Sequence, residues 1–204
     1  MLTPEVKQVK KFLILSVCVL LLITLVPILP TAQDRAIYDQ TVRLHVIANS
    51  DTDEDQRFKL QVRDGVLAYL GPLMEQVTDR EEAEQVIAAH MDEIRAAAQA
   101  VVARAGREDA VSVAFDREYY PRKEYEGVTL PAGNYLSLQI MLGEHAGANW
   151  WCVLFPTLCT TTARPEQELT RAGFTVGQVR LITDNKSTKY KLKFRLLELL
   201  TGGE

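Results

Sequence analysis

Two hydrophobic periods divide this chain, and their order limits the fold more than any other feature. From residue 53 to residue 106 apolar side chains recur at helical spacing, and from 111 to 155 they alternate or run together. Helices followed by a block of strands, without strict strand–helix alternation, predict an α+β domain. One further strand stands ahead of the helices. From Thr41 to Asn49 the chain alternates, with Val42, Leu44, Val46 and Ala48 on one face and Thr41, Arg43, His45 and Asn49 on the other. That pattern reads as a half-buried strand whose outward residues are free of packing duties. The expected architecture is therefore one compact α+β domain with a mixed or antiparallel sheet and two main helices.

The first of those helices comes directly after the strand. Ser50 and Asp51 are its N-cap candidates, with Asp53, Glu54 and Asp55 in the first turn to complement the dipole. Phe58, Val62, Val66, Leu67 and Leu70 carry the stripe to a stop at Gly71-Pro72. A second helix opens with the capping box Thr78-x-x-Glu81. It runs through Val86, Ile87, Ile94, Ala97, Ala98 and Val101 to Gly106. In the strand block, Val111, Val113 and Phe115 share a face, as do Leu136, Leu138, Ile140 and Leu142. Leu130-Pro131-Ala132-Gly133 suits a tight turn, with Gly133 supplying the left-handed position. Trp150 to Phe155 is continuously apolar, as a strand buried on both faces would be. A short helix is expected from Pro165 to Gly173. In the tail, Leu192, Leu196, Leu199 and Leu200 fit a helix, while Tyr190, Leu192, Phe194 and Leu196 fit a strand; helix is preferred.

Ahead of all this lies a different kind of segment. Lys7, Lys10 and Lys11 precede an uncharged run from Phe12 to Leu29. As a helix that run would reach about 27 Å, close to the thickness of a bilayer core. The basic flank keeps the N-terminus in the cytoplasm and sends the rest of the chain across the membrane. Residues 1–32 are thus expected to be a signal peptide or membrane anchor, and residues 33–204 an exported domain. Ala32 offers a small residue for cleavage, but Pro30 departs from the usual A-x-A pattern. Residues 33–204 hold 20 basic and 26 acidic side chains, and no Lys/Arg cluster marks a polyanion site. Nucleic acid is not an expected partner.

The side chains able to carry chemistry are scattered. Asp51-x-Asp53-x-Asp55 begins like a calcium loop, but Gln56 and Val62 stand where its Gly and Glu belong. The trio reads better as a cap with first-turn charges. His45, Ser50 and Asp51 lie close in sequence, yet no nucleophile elbow or glycine-rich oxyanion loop accompanies them. They define the alternative reading, an exported cell-wall-acting enzyme or binder. His90 reads as a boundary residue of the second helix and His145 as part of a solvated turn. No catalytic residue, cofactor or metal set is assigned. Outside the cytoplasm, Cys152 and Cys159 around Pro156 read as a disulfide, whose short loop would contribute about 2.5 kcal/mol. A zinc set of His145, Cys152 and Cys159 lacks a fourth ligand.

Three blocks of sequence carry a resemblance. They are Val42-Arg43-Leu44-His45-Val46-Ile47-Ala48-Asn49-Ser50-Asp51 with Asp55-Gln56 and Val62-Arg63-Asp64; Thr129-Leu130-Pro131-Ala132-Gly133-Asn134-Tyr135; and Gly143-Glu144 through Asn149-Trp150-Trp151-Cys152-Val153-Leu154-Phe155-Pro156 to Leu158-Cys159. With the tail from Lys189 to Leu200, the chain beyond residue 40 resembles the stage II sporulation protein R family of endospore-forming bacteria. Thr157 departs from it, standing where a second proline is expected. The resemblance implies a protein made in the forespore and exported into the space between two membranes. There it triggers a membrane-embedded aspartic protease of the mother cell, which removes the pro-sequence of an early sigma factor. It implies no catalytic residues. Arg43, His45, Asn49, Ser50 and Asp51 are then the candidate partner-binding residues, since the alternation of the strand asks little of them in packing. If Ser50 or Asp51 carries the cap, Asn49→Ala and His45→Ala should each change stability by less than about 1 kcal/mol.

Overall fold

The computed structural model describes residues 4–25, 32–125, 127–159 and 164–183. Its elements in chain order are helices α1 (Pro4–Leu25) and α2 (Ala32–Asp39), strand β1 (Val42–Ile47), and helices α3 (Asp53–Met74), α4 (Arg80–Ala89) and α5 (Met91–Arg104). Strands β2 (Val111–Tyr120), β3 (Lys123–Tyr125), β4 (Val128–Leu130), β5 (Gly133–Leu142) and β6 (Asn149–Phe155) come next, then helices α6 (Pro165–Arg171) and α7 (Val176–Thr183). The main sheet has the order β2-β5-β1-β6 and is mixed. Strand β1 runs parallel to β5 and antiparallel to β6, and β2 is antiparallel to β5. Strands β3 and β4 form a separate hairpin.

The alternation of β1 sets its two faces. Val42, Leu44 and Val46 join Leu136, Leu138, Ile140, Cys152 and Leu154 beneath Phe58, Val62, Val66 and Leu70 of α3, Ile87 of α4, and Ile94 and Ala98 of α5. This is the core that the helical stripes foretold. The opposite face is also covered. Tyr120, Tyr135 and Val153 meet Ile37 and Tyr38 of α2, Val128 and Leu130 of β4, Leu169 of α6, and Phe174 and Ile182 near and in α7. Strand β1 is therefore a central strand buried on both faces, not the half-buried one its alternation suggested. Arg43 is fully buried and His45 is 3% exposed.

Several local expectations shift for physical reasons. Helix α3 continues through Pro72 to Met74, because Met74 and Val77 sink into the core and hold its last turn. The second helix divides at His90, whose φ of −114° breaks the ladder while its Nδ1 lies 2.7 Å from the Val86 carbonyl. There are thus three principal helices in the domain where two were expected. The capping box sits one residue later: Asp79 accepts from the Glu82 amide, and Glu82 accepts from the amide and hydroxyl of Thr78. Gly133 opens β5 with no positive φ, and its reason is proximity, since a Cβ there would lie 2.3 Å from the Tyr38 ring. Gly106 and Gly173 do end α5 and α6 at positive φ.

In α1 the large apolar side chains from Phe12 to Leu22 are exposed. Among the described residues no helix is long and apolar enough to cross a membrane. The uncharged part described, Phe12 to Leu25, would extend about 21 Å, and residues 26–29 of the run lie outside the described residues. The tail from Lys189 to Leu200 also lies outside them.

Candidate functional site

The corner where β1 turns into α3 is built from the residues that sequence reasoning singled out. Thr52 is the true N-cap, its hydroxyl accepting from the Asp55 amide at 3.3 Å. That leaves Asn49, Ser50 and Asp51 for other work. Asn49 donates through Nδ2 to Asp55 Oδ2 at 2.9 Å and accepts at Oδ1 from the Glu144 amide at 2.9 Å. Ser50 donates to the same Asp55 oxygen at 2.6 Å. Asp51 accepts from the Ala148 amide at 2.6 Å. Lys59, 4% exposed, donates to the Ala148 carbonyl at 2.7 Å and to Gln56 at 2.6 Å.

Together these bonds latch the β5–β6 loop, residues 143–148, onto the corner. The loop backbone adds its own bonds, with the Ala146 and Gly147 amides donating to the carbonyls of Asn49 and Ala48. Two glycines make the approach possible. A Cβ on Gly143, whose φ is +54°, would fall 2.2 Å from Asn49 Oδ1, and one on Gly147 would fall 2.2 Å from the Ser50 carbonyl oxygen.

Asp55 is the electrostatic centre of the latch. Hydrogen bonds from Ser50 and Asn49, with Arg107 behind them, outweigh burial and hold its carboxyl at about 2. Arg107 also reaches Asp109 at 2.5 Å and Glu54 at 3.1 Å, and its acidic partners Asp109 and Asp55 raise its pKa further. Burial lowers the Lys59 amine, opposed by Asp51. The acidic trio is thus divided among separate duties, Asp51 on the loop amide and Asp55 on Arg107.

Arg43 and His45 belong to a second polar group, on the other face of the sheet. Arg43 Nε donates to the Cys152 carbonyl at 2.9 Å, and Nη2 donates to the Tyr125 hydroxyl. Its guanidinium carbon lies 4.2 Å from the centre of the Tyr120 ring. His45 Nδ1 lies 2.9 Å from Glu118 Oε1. Glu118 also accepts from Ser137 at 3.0 Å, and Ser137 is bonded to the Tyr120 hydroxyl at 2.6 Å. Burial pushes the Tyr120 and Tyr135 hydroxyls well above the usual tyrosine range.

The five candidate residues therefore form two sites. His45 pairs with Glu118, Ser50 with Asp55, and Asp51 with a backbone amide, so no Ser-His-Asp relay is assembled from them. The expectation that packing asks little of Arg43 and His45 is corrected by their burial. Glu118, Tyr120 and Arg107 escaped notice. The first two were legible in principle, because the face of Val111, Val113 and Phe115 puts the even-numbered β2 residues on the opposite side. Arg107 gave no local signal. Cys152 and Cys159 are joined in a disulfide, with Cα atoms 5.6 Å apart. Cys18 is free and exposed.

No solved structure matches the chain. The family described as stage II sporulation protein R matches residues 38–164, from α2 to the start of α6. The match takes in both polar groups and the disulfide, and it stops short of the tail, where the sequence also suggested likeness. A protein named stage II sporulation protein R, from Bacillus subtilis (strain 168), is 42% identical over 127 residues. That alignment covers 62% of this chain and 57% of the relative, so the chain spans little more than half of the relative's length. The chain belongs to the stage II sporulation protein R family.

Proposed function

We propose that this chain is a sporulation signal that acts by binding and carries out no catalysis of its own. Its N-terminal segment exports the domain across the forespore membrane into the intermembrane space, where it stays anchored or is released. There it engages a membrane-embedded aspartic protease of the mother cell and so starts removal of the pro-sequence of a sigma factor. Family membership over residues 38–164 is the observation that carries this reading. The lysine flank and the exposed apolar residues of α1 support export.

The surface offered to the protease is the latched loop. Glu144, His145 and Ala146 are exposed at its tip, and His145 holds a φ of +42°, a conformation few side chains adopt without support. Asn49 and Asp51 fix that loop from below, which gives the corner a part in recognition through positioning. Loops held by a rigid scaffold are common binding surfaces. The test is sigma-factor processing with His145→Ala or Glu144→Ala produced in the forespore. Both variants should fold and be exported yet fail to trigger processing. Normal processing from both would remove the loop as the contact.

A further inference from the structure

Among the described residues, three buried nitrogens on the second face of the sheet have no hydrogen-bond partner: Arg43 Nη1, His45 Nε2 and Trp151 Nε1. Buried polar groups are nearly always paired, so three together call for an explanation. The strand register makes them neighbours. Arg43 and His45 are two residues apart on β1, and His45 stands directly opposite Trp151 on β6. All three surround Tyr120. The guanidinium lies 4.2 Å from its ring centre, and the His45 and Trp151 rings lie 6.2 Å and 5.7 Å from it and 5.8 Å from each other.

Arg43 also lacks a direct ion pair on this face: among the described residues no carboxylate pairs with it, and the nearby acid, Glu118, is engaged by His45 and Ser137. A buried guanidinium without a direct counter-ion is costly, and the rings of Tyr120, Tyr135 and Tyr125, at 4.2, 5.0 and 5.6 Å from its carbon, offset only part of that cost. The β3–β4 hairpin forms the roof, with the Tyr125 hydroxyl on Arg43 and Lys123 Nζ 5.5 Å from the Trp151 ring. At the edge of this face Lys123 is exposed and the Glu118 side chain is 26% exposed.

We propose that this face binds a carboxylate-bearing ligand, Arg43 Nη1 and Trp151 Nε1 donating to its oxygens. His45, anchored at Nδ1 by Glu118, presents Nε2 to the same place and donates when its ring carries both protons. Glu118 on the same face repels a doubly charged phosphate about twice as strongly as a singly charged carboxylate. The three nitrogens are out of contact with solvent, so the ligand reaches them only through a local opening of this face. The site stands independently of the signalling role.

The test is a titration of the full chain in detergent micelles, with the tryptophan indoles labelled with nitrogen-15. N-acetylglycine represents a peptide chain end, acetate a free small acid, and N-acetylglycinamide the uncharged control. The Trp151 indole resonance should shift saturably with N-acetylglycine or acetate, whichever binds tighter naming the source, and not with the amide. Trp150, stacked on Arg63 at 4.8 Å on the other face, is the internal control and should not move. Arg43→Lys should weaken binding at least about tenfold by losing the forked donor. If that variant does not fold, Trp151→Phe keeps the ring, removes one donor, and should weaken carboxylate protection in a thermal-shift assay. An equal response to the amide, or no saturable shift in the unaltered protein, overturns the proposal. So does a long-lived water on the Trp151 indole that carboxylate does not displace, for buried water alone would then serve the three nitrogens.

Discussion

Replacing Asn49 by alanine removes two bonds that join three elements. One is the amide donor to the ionised carboxyl of Asp55, at 2.9 Å, and the other is the acceptor for the Glu144 amide, also at 2.9 Å. A hydrogen bond to a charged group contributes about 1.5–3 kcal/mol and a neutral one about 0.5–1.5 kcal/mol. The Glu144 amide lies at the surface, where water replaces most of what it loses. The expected loss is about 2–3 kcal/mol, well above the limit that helix capping alone would set. In a domain of this size that lowers Tm by about 4–12 °C. The loss should also depend on pH. Asp55 has a folded pKa of about 2, below its unfolded value, so its stabilisation is present above the unfolded value and fades as pH falls through about 2. That stabilisation amounts to about 2 kcal/mol, and Asn49 supplies part of it. The gap between variant and parent, measured by urea unfolding followed by circular dichroism, should therefore narrow in acid. A loss under about 1 kcal/mol at neutral pH, or a gap that does not change with pH, would refute the latch.

Gly147→Ala would place a methyl group 2.2 Å from the Ser50 backbone oxygen, so it should cost about 1–3 kcal/mol by the same unfolding assay; a neutral result would mean the loop is not pressed on the corner. Intact mass should rise on reduction by the two thiol hydrogens of Cys152 and Cys159, with alkylation of neither beforehand, and Cys159→Ser should cost about 2.5 kcal/mol. A reporter active only outside the cytoplasm, fused after residue 204, should give activity; activity only from a cytoplasmic reporter would end the export reading.

Periodicity carried most of the fold. The stripe of α3 and the alternation of β2, β5 and β1 predicted much of the larger core, because those elements each bury one recognisable face there, while Met74, Val77, Ala83 and Val102 joined it unannounced. What periodicity could not convey was the second face. Its cover is assembled from α2, a short hairpin and two short helices distant in sequence, and Arg43 and His45 look like outward polar residues until those pieces are in place. The corner was legible as a polar cluster but not as a latch. Its partners, the Glu144 and Ala148 amides and Arg107, are brought to it by tertiary packing. Pro72 and His90 show the same limit from the other side. Burial of Met74 carries a helix past a local stop, while one backbone angle at His90 breaks a stripe that reads as continuous.

Activation by binding can be tested by reconstitution. The chain, the membrane-embedded protease and the pro-sigma factor are produced together in a host that does not sporulate, and conversion of the pro-sigma factor is monitored by immunoblot. Parallel cultures omit the chain or carry a protease whose catalytic aspartate is replaced. Conversion should appear only when the chain and the active protease are both present. Conversion with the inactive protease would show that the chain cleaves the substrate itself, and undiminished conversion without the chain would show that it activates nothing.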